Sequence, residues 1–96
     1  MHVGTLELGL TIHAAASLKD RRRTVTSLKQ RLRNRFNAAV ADLNDKPSPS
    51  YALIGIVCVA NDPRRLDAQL RSIVEFVEAL HLDLEVVHDH IDIIQL

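Results

Sequence analysis

The sequence predicts an α+β domain with the element order β-α-β-β-α-β. Apolar and polar residues alternate from Val3 to Ile12, which is the period of a strand with one buried face. Two later segments space their apolar residues as helices do, each preceded by a residue that can cap a helix. Between them, after a cluster of turn-forming residues, lies a run dense in β-branched and apolar side chains.

The first strand puts Leu6, Leu8, Leu10 and Ile12 on one face and Thr5, Glu7, Gly9 and Thr11 on the other. Ser17 then offers a hydroxyl to free backbone N–H groups, and Asp20 suits the positive end of a helix expected over about 18 to 34. Leu18, Val25, Leu28 and Leu32 form its expected apolar stripe, and Asn34 or Asn37 its expected stop. A second strand is expected from about Ala38 to Leu43. Asn44-Asp45-Lys46-Pro47-Ser48-Pro49-Ser50 follows as a loop joining neighbouring strands. The third strand, Tyr51 to Ala60, is apolar on both faces and so belongs near the middle of the sheet. Asp62 caps the second helix, and Pro63 occupies its first turn, where no backbone N–H is needed. Leu66, Leu70, Ile73, Val77 and Leu80 form its core stripe; Asp67, Arg71, Glu75 and Glu78 form its solvated face. The last strand is expected from about Leu84 to Ile94.

Two helices set among four strands in this order give a ferredoxin-like sandwich, a four-stranded antiparallel sheet with both helices on one face. The other face is left open. The third strand directs Leu53, Val57 and Val59 to one side and Ile54, Ile56 and Cys58 to the other, and the second set is expected to need cover from another copy or a partner.

At 96 residues with 47% hydrophobic content, residues 1–96 furnish one core and so a single domain. Formal net charge is zero, but it is unevenly placed. Residues 19–35 hold eight bases against one acid, a local +7, whereas residues 36–96 hold four bases against ten acids, a local −6. Such polarity favours contact with a polyanion or between opposite patches of like molecules. No apolar stretch approaches the roughly 20 residues of a membrane span, and no secretory leader pattern stands at the N-terminus. The single cysteine, Cys58, excludes an intrachain disulfide and reads as a small core residue, consistent with a reducing cytoplasm.

Several segments together resemble the bacterial YlxP-like family: Met1-His2-Val3-Gly4, SLKDRRR at 17 to 23, SLKQRLRNRFN at 27 to 37, Val40-Ala41, Gly55 and Asn61-Asp62. The resemblance covers nearly the whole chain. It implies a ferredoxin-like fold and an uncharacterised bacterial cytoplasmic protein whose genes lie among those for transcription and translation factors. It implies no catalytic residue. The chain departs from the family pattern at Pro47-Ser48-Pro49-Ser50, where a tryptophan-containing segment is expected, and in its histidine-bearing last strand.

The strongest candidate site is the basic helix. At 100° per residue, Arg22, Thr26, Lys29 and Arg33 line one strip beside Lys19, Arg23 and Gln30, all away from Leu28 and Leu32. Lys19, Arg22, Arg23, Lys29 and Arg33 are therefore the expected phosphate contacts of a nucleic-acid interface, each contact releasing counterions. The competing reading is an ordinary solubilising face whose aliphatic stems cover apolar surface. Only 3% of residues are aromatic, which disfavours base stacking and leaves backbone contact with structured or ribosomal RNA. His88, His90 and Asp92 alternate on the last strand and are a weak metal-binding pattern; His2 has the parity of the buried leucines and stays apart from them. No nucleophile, paired carboxylate or phosphate loop stands in a catalytic context, and no cofactor is implied. The expected function is a non-enzymatic cytoplasmic accessory protein contacting RNA or the ribosome. The alternative is a homo-oligomeric or partner-binding module working through the open sheet face.

Overall fold

Six elements stand in the expected order: β1 (His2–Ile12), α1 (Leu18–Arg35), β2 (Ala39–Asp42), β3 (Tyr51–Ala60), α2 (Pro63–Ala79) and β4 (Leu84–Gln95). They belong to a computed structural model that describes residues 1–13, 15–46 and 48–96. The Pro47 assigned above to the loop lies outside the described residues.

The strands form one antiparallel sheet in the order β2-β3-β1-β4. This is the ferredoxin-like α+β arrangement, with the first strand paired on both sides. Register slips once, between Gly9 and Leu10: Gly9 faces His88 and Leu10 faces Val86, which leaves Val87 as a bulge in β4.

Leu6, Leu8, Leu10 and Ile12 of β1 join Ala52, Ile54, Ile56 and Cys58 of β3 in a single core with both helices. From α2, Leu66, Leu70, Ile73 and Val77 are buried, as their spacing requires. Gly4 sets the approach of α2. A Cβ there would stand 2.6 Å from Leu70 Cδ1 and 2.8 Å from Leu66 Cγ, so only glycine lets this helix lie so close to β1. At the start of α2 the Asp62 carboxylate accepts the Arg64 N–H at 2.9 Å, with Pro63 in the first turn.

Three expectations are corrected. Leu18 is 44% exposed, and the buried side of α1 is Arg21, Val25, Leu28 and Leu32. Arg21 lies four residues before Val25 and seven before Leu28, on the same stripe, and its guanidinium finds acceptors there. Neither Asn34 nor Asn37 stops α1. The chain leaves the helix at Phe36 in an extended conformation, and that ring packs edge-on against Phe76 of α2 with centroids 5.5 Å apart. Finally, the two sides of β3 are exchanged: Ile54, Ile56 and Cys58 lie beneath the helices, and Leu53, Val57 and Val59 face the open side.

Candidate nucleic-acid interface

The helix that carries the cations is anchored at both ends and along one side. The Ser17 hydroxyl accepts the Asp20 N–H at 3.2 Å, and the Asp20 carboxylate reaches back to the Ala16 N–H at 3.2 Å. One of the unpaired donors of the first turn, the Asp20 N–H, is thereby satisfied, and so is the Ala16 N–H just before the cap. On the buried side Arg21 is 4% exposed. Its guanidinium donates to both Asp42 oxygens at 2.9 and 3.3 Å, to Asn44 Oδ1 at 2.8 Å and, through Nε, to the Tyr51 carbonyl at 2.9 Å. One arginine thus ties α1 to the end of β2, the following loop and the start of β3. Burial alone would raise the Asp42 pKa; the Arg21 hydrogen bond, the Asn44 N–H and the charges of Arg21 and Lys29 outweigh it and hold the carboxyl below its ordinary value.

With Arg21 turned inward, the expected strip divides. Lys19, Arg22 and Arg23 are exposed, and among the described residues no carboxylate lies within ion-pairing distance of them. Together with Thr26, Ser27 and Gln30 they line a shallow groove of about 450 Å³ on the solvent side of α1. Its lining holds three cations, three uncharged hydrogen-bonding side chains and no acid. Lys29 is half-buried beside Arg22, Thr26 and the Arg21–Asp42 pair, in a smaller hollow of about 190 Å³. Arg33 gives one N–H to the Val40 carbonyl at 2.8 Å, so it already serves β2. Arg31 donates to the Ser27 hydroxyl at 3.3 Å. Three of the five expected contacts therefore converge on the groove, and two lie along its flank with partial commitments inside the fold.

The opposite face of the molecule has another character. Across the open side of the sheet run Val59, Val3 and Ile94, then Ala39, Val57, Thr5 and Asp92, then Ala41, Gly55, Glu7 and His90, then Leu53, Gly9 and His88. Leu43 folds over Gly55, where a Cβ would stand 2.7 Å from Leu43 Cδ1. A concavity of about 540 Å³ opens over the middle of this face, with Glu7 and Asp92 on its wall. Two carboxylates beside it repel phosphate, so this wider hollow is not a second polyanion site. The expected histidine group does share this face. His90 Nε2 lies 3.6 Å from Asp92 Oδ2, and His13 Nε2 lies 3.4 Å from Glu85 Oε2. Among the described residues no three His, Cys, Asp or Glu side chains gather as a metal site would need.

Of the remaining candidates, Cys58 is buried and accepts a hydrogen bond from the Gln69 amide at 3.3 Å, while burial pushes its thiol pKa up. Both facts agree with a packing residue. Among the described residues no helix is long and apolar enough to cross a membrane. The residue sequence reasoning missed is Arg21, and its signal was present: it continues the spacing of Val25, Leu28 and Leu32 toward the N-terminus, whereas the exposed basic residues leave that stripe.

A family model described as a protein of unknown function, DUF503, matches residues 3–91. Comparison with curated proteins finds no match.

Proposed function

The chain belongs to the DUF503 family of proteins of unknown function, and from that premise we propose that it is a cytoplasmic, non-enzymatic accessory protein that holds structured RNA, such as ribosomal RNA, against the outer side of α1. The carrying observation is the groove of Lys19, Arg22, Arg23, Thr26, Ser27 and Gln30, whose cations have no internal counter-ion among the described residues. The acidic side chains Glu7 and Asp92 lie on the far face of the sheet, turned away from anything bound at α1. Resemblance of the helix motif to YlxP-like proteins, with genes placed among those of transcription and translation, supports the same reading. Lys19, Arg22 and Arg23 form the centre of the contact, with Lys29 and Arg33 extending it along the β2 side. Binding is to phosphates and ribose and not to unstacked bases, since Tyr51 is the one Phe, Tyr or Trp ring on the open sheet among the described residues, and His88 and His90 share that face with Glu7 and Asp92, whose charge repels a nucleic-acid backbone.

Filter binding to a structured RNA at 50 and 200 mM salt tests this. Five phosphate contacts, taken at the duplex value of about −0.9 each, predict a roughly 500-fold loss of affinity over that range. Replacing Lys19, Arg22 and Arg23 with Ala leaves two contacts and a loss of roughly tenfold. Equal binding and equal salt dependence of the two proteins, or no binding by the wild type at 50 mM, rejects the proposal.

A further inference from the structure

β4 is an edge strand of 12 residues, hydrogen-bonded on one side only. The Leu96 N–H donates to the Met1 carbonyl at 2.9 Å, which sets the phase of the ladder. Because antiparallel partners alternate, Ile94, Asp92, His90 and His88 direct their backbone groups to β1. Asp89, Ile91, Ile93 and Gln95 direct theirs away from the sheet. A long, bare edge of this kind is a template for another strand.

We propose that β4 pairs with β4 of a second copy of this chain, antiparallel, about a two-fold axis through Ile91, making one continuous eight-stranded sheet. In that register Ile91 meets its own counterpart, and Asp89 meets Ile93 of the second copy, all through outward-facing backbone groups. Between those pairs, His90 of each chain stands directly opposite Asp92 of the other on the open face, in the closer kind of pair. The interface is thus complementary to itself, as a two-fold contact must be. Neighbouring registers are not. Centring the axis on Asp92 sets the two Asp92 carboxylates against each other, and centring it on His90 sets imidazole against imidazole. Within one chain His90 and Asp92 already reach to 3.6 Å, and both are largely exposed and available. On the helix side, Ile91 and Ile93 are half-buried in one chain. A hollow of about 220 Å³ between α2 and β4, lined by Val74 and Ile91 together with the charged Arg71, Glu75, Glu78 and Asp89, lies where Ile93 of the second copy arrives. Pairing covers more of both isoleucines, Ile91 against its own counterpart and Ile93 beside Val74 and Ile91 of the other chain. Nothing here depends on the RNA reading, because the cations of α1 lie over the β2 side of the sheet.

Light scattering on gel-filtered protein over a dilution series, without RNA, tests the proposal. The wild type is expected at twice the 10.7 kDa chain mass. Asp89→Pro removes an outward N–H that no intrachain bond uses, so it is expected to preserve the circular dichroism spectrum while yielding a monomer. His90→Asp sets like charges opposite each other twice and is expected to raise the dimer Kd about tenfold. Combining it with Asp92→His restores the opposition with roles exchanged and returns the Kd to within about threefold of wild type. A wild type that stays monomeric throughout, an Asp89→Pro dimer of unchanged Kd, or a double variant as weak as His90→Asp overturns the proposal.

Discussion

Replacing Arg21 with Met removes the guanidinium and leaves a side chain of similar reach. Arg21 is 4% exposed and gives four hydrogen bonds, to Asp42 twice, Asn44 and the Tyr51 carbonyl. Breaking a fully buried ion pair costs about 3–5 kcal/mol. Here the Asp42 side chain is 28% exposed and regains some water, which brings the expected loss to about 2.5 kcal/mol. Asn44 keeps its bond from the Leu53 N–H at 2.6 Å, so the loop itself is retained. For a domain of this size the loss lowers Tm by roughly 10–20 °C. Arg21→Lys keeps the charge but cannot span both Asp42 and the Tyr51 carbonyl, and is expected to lose about half as much. The pH dependence has a definite sign. In the wild type the folded pKa of Asp42 lies below its ordinary 3.8, so its stabilisation is complete above that pH and is lost as pH falls through the folded value. Without Arg21 burial remains, the strongest lowering contact is gone, and the carboxylate no longer favours the folded state. The difference between the two proteins is therefore widest at pH 7 and narrows toward pH 3. Urea unfolding followed by circular dichroism at both values measures it. A loss under 1 kcal/mol at pH 7, or a gap that widens in acid, refutes the reasoning.

Further outcomes follow from neighbouring features. Gly4→Ala drives a methyl group into Leu66 and Leu70, both buried, and is expected to cost about 1–3 kcal/mol in urea unfolding. Gly55→Ala meets only Leu43, which is 42% exposed and free to swing aside, so its cost is expected below about 1 kcal/mol. Cys58, buried with its pKa raised, is expected to react with a thiol reagent at pH 8 at least about 100-fold more slowly in the native protein than in urea. The Lys19/Arg22/Arg23 to Ala variant loses no internal ion pair and relieves repulsion between Lys19 and Arg23, four residues apart, so its Tm is expected to equal or slightly exceed that of wild type.

Much of this molecule was legible from residue order because single-residue rules and the tertiary structure agree. Alternation in β1, the Ser17 and Asp62 caps and the apolar run of β3 each name a local structure that packing then reinforces. The failures come where a contact distant in sequence decides. An arginine on an apolar stripe is buried only if acceptors meet it, and Asp42, Asn44 and Tyr51 come from 21 to 30 residues away. The end of α1 is set in the same way by Phe76, against which Phe36 packs, and not by the nearby asparagines. The sides of β3 were exchanged because a strand apolar on both faces carries no mark of which face the helices take. As for the interface, sequence shows that Lys19, Arg22, Arg23, Lys29 and Arg33 leave the apolar stripe; that Arg33 also supports the Val40 carbonyl needs the fold.

The guanidinium of Arg33 occupies the Val40 carbonyl at one margin of the sheet, whereas among the described residues no side chain hydrogen-bonds the outward backbone of β4 at the other. β2 is four residues long and has an outward carbonyl already occupied, so an approaching strand gains little there. β4 offers three times that length. The two margins are unequally hospitable, and a sheet blocked at one side cannot propagate. In the β4–β4 pairing proposed above both outer margins of the joined sheet are β2, which gives a closed particle where equal margins would invite a fibre.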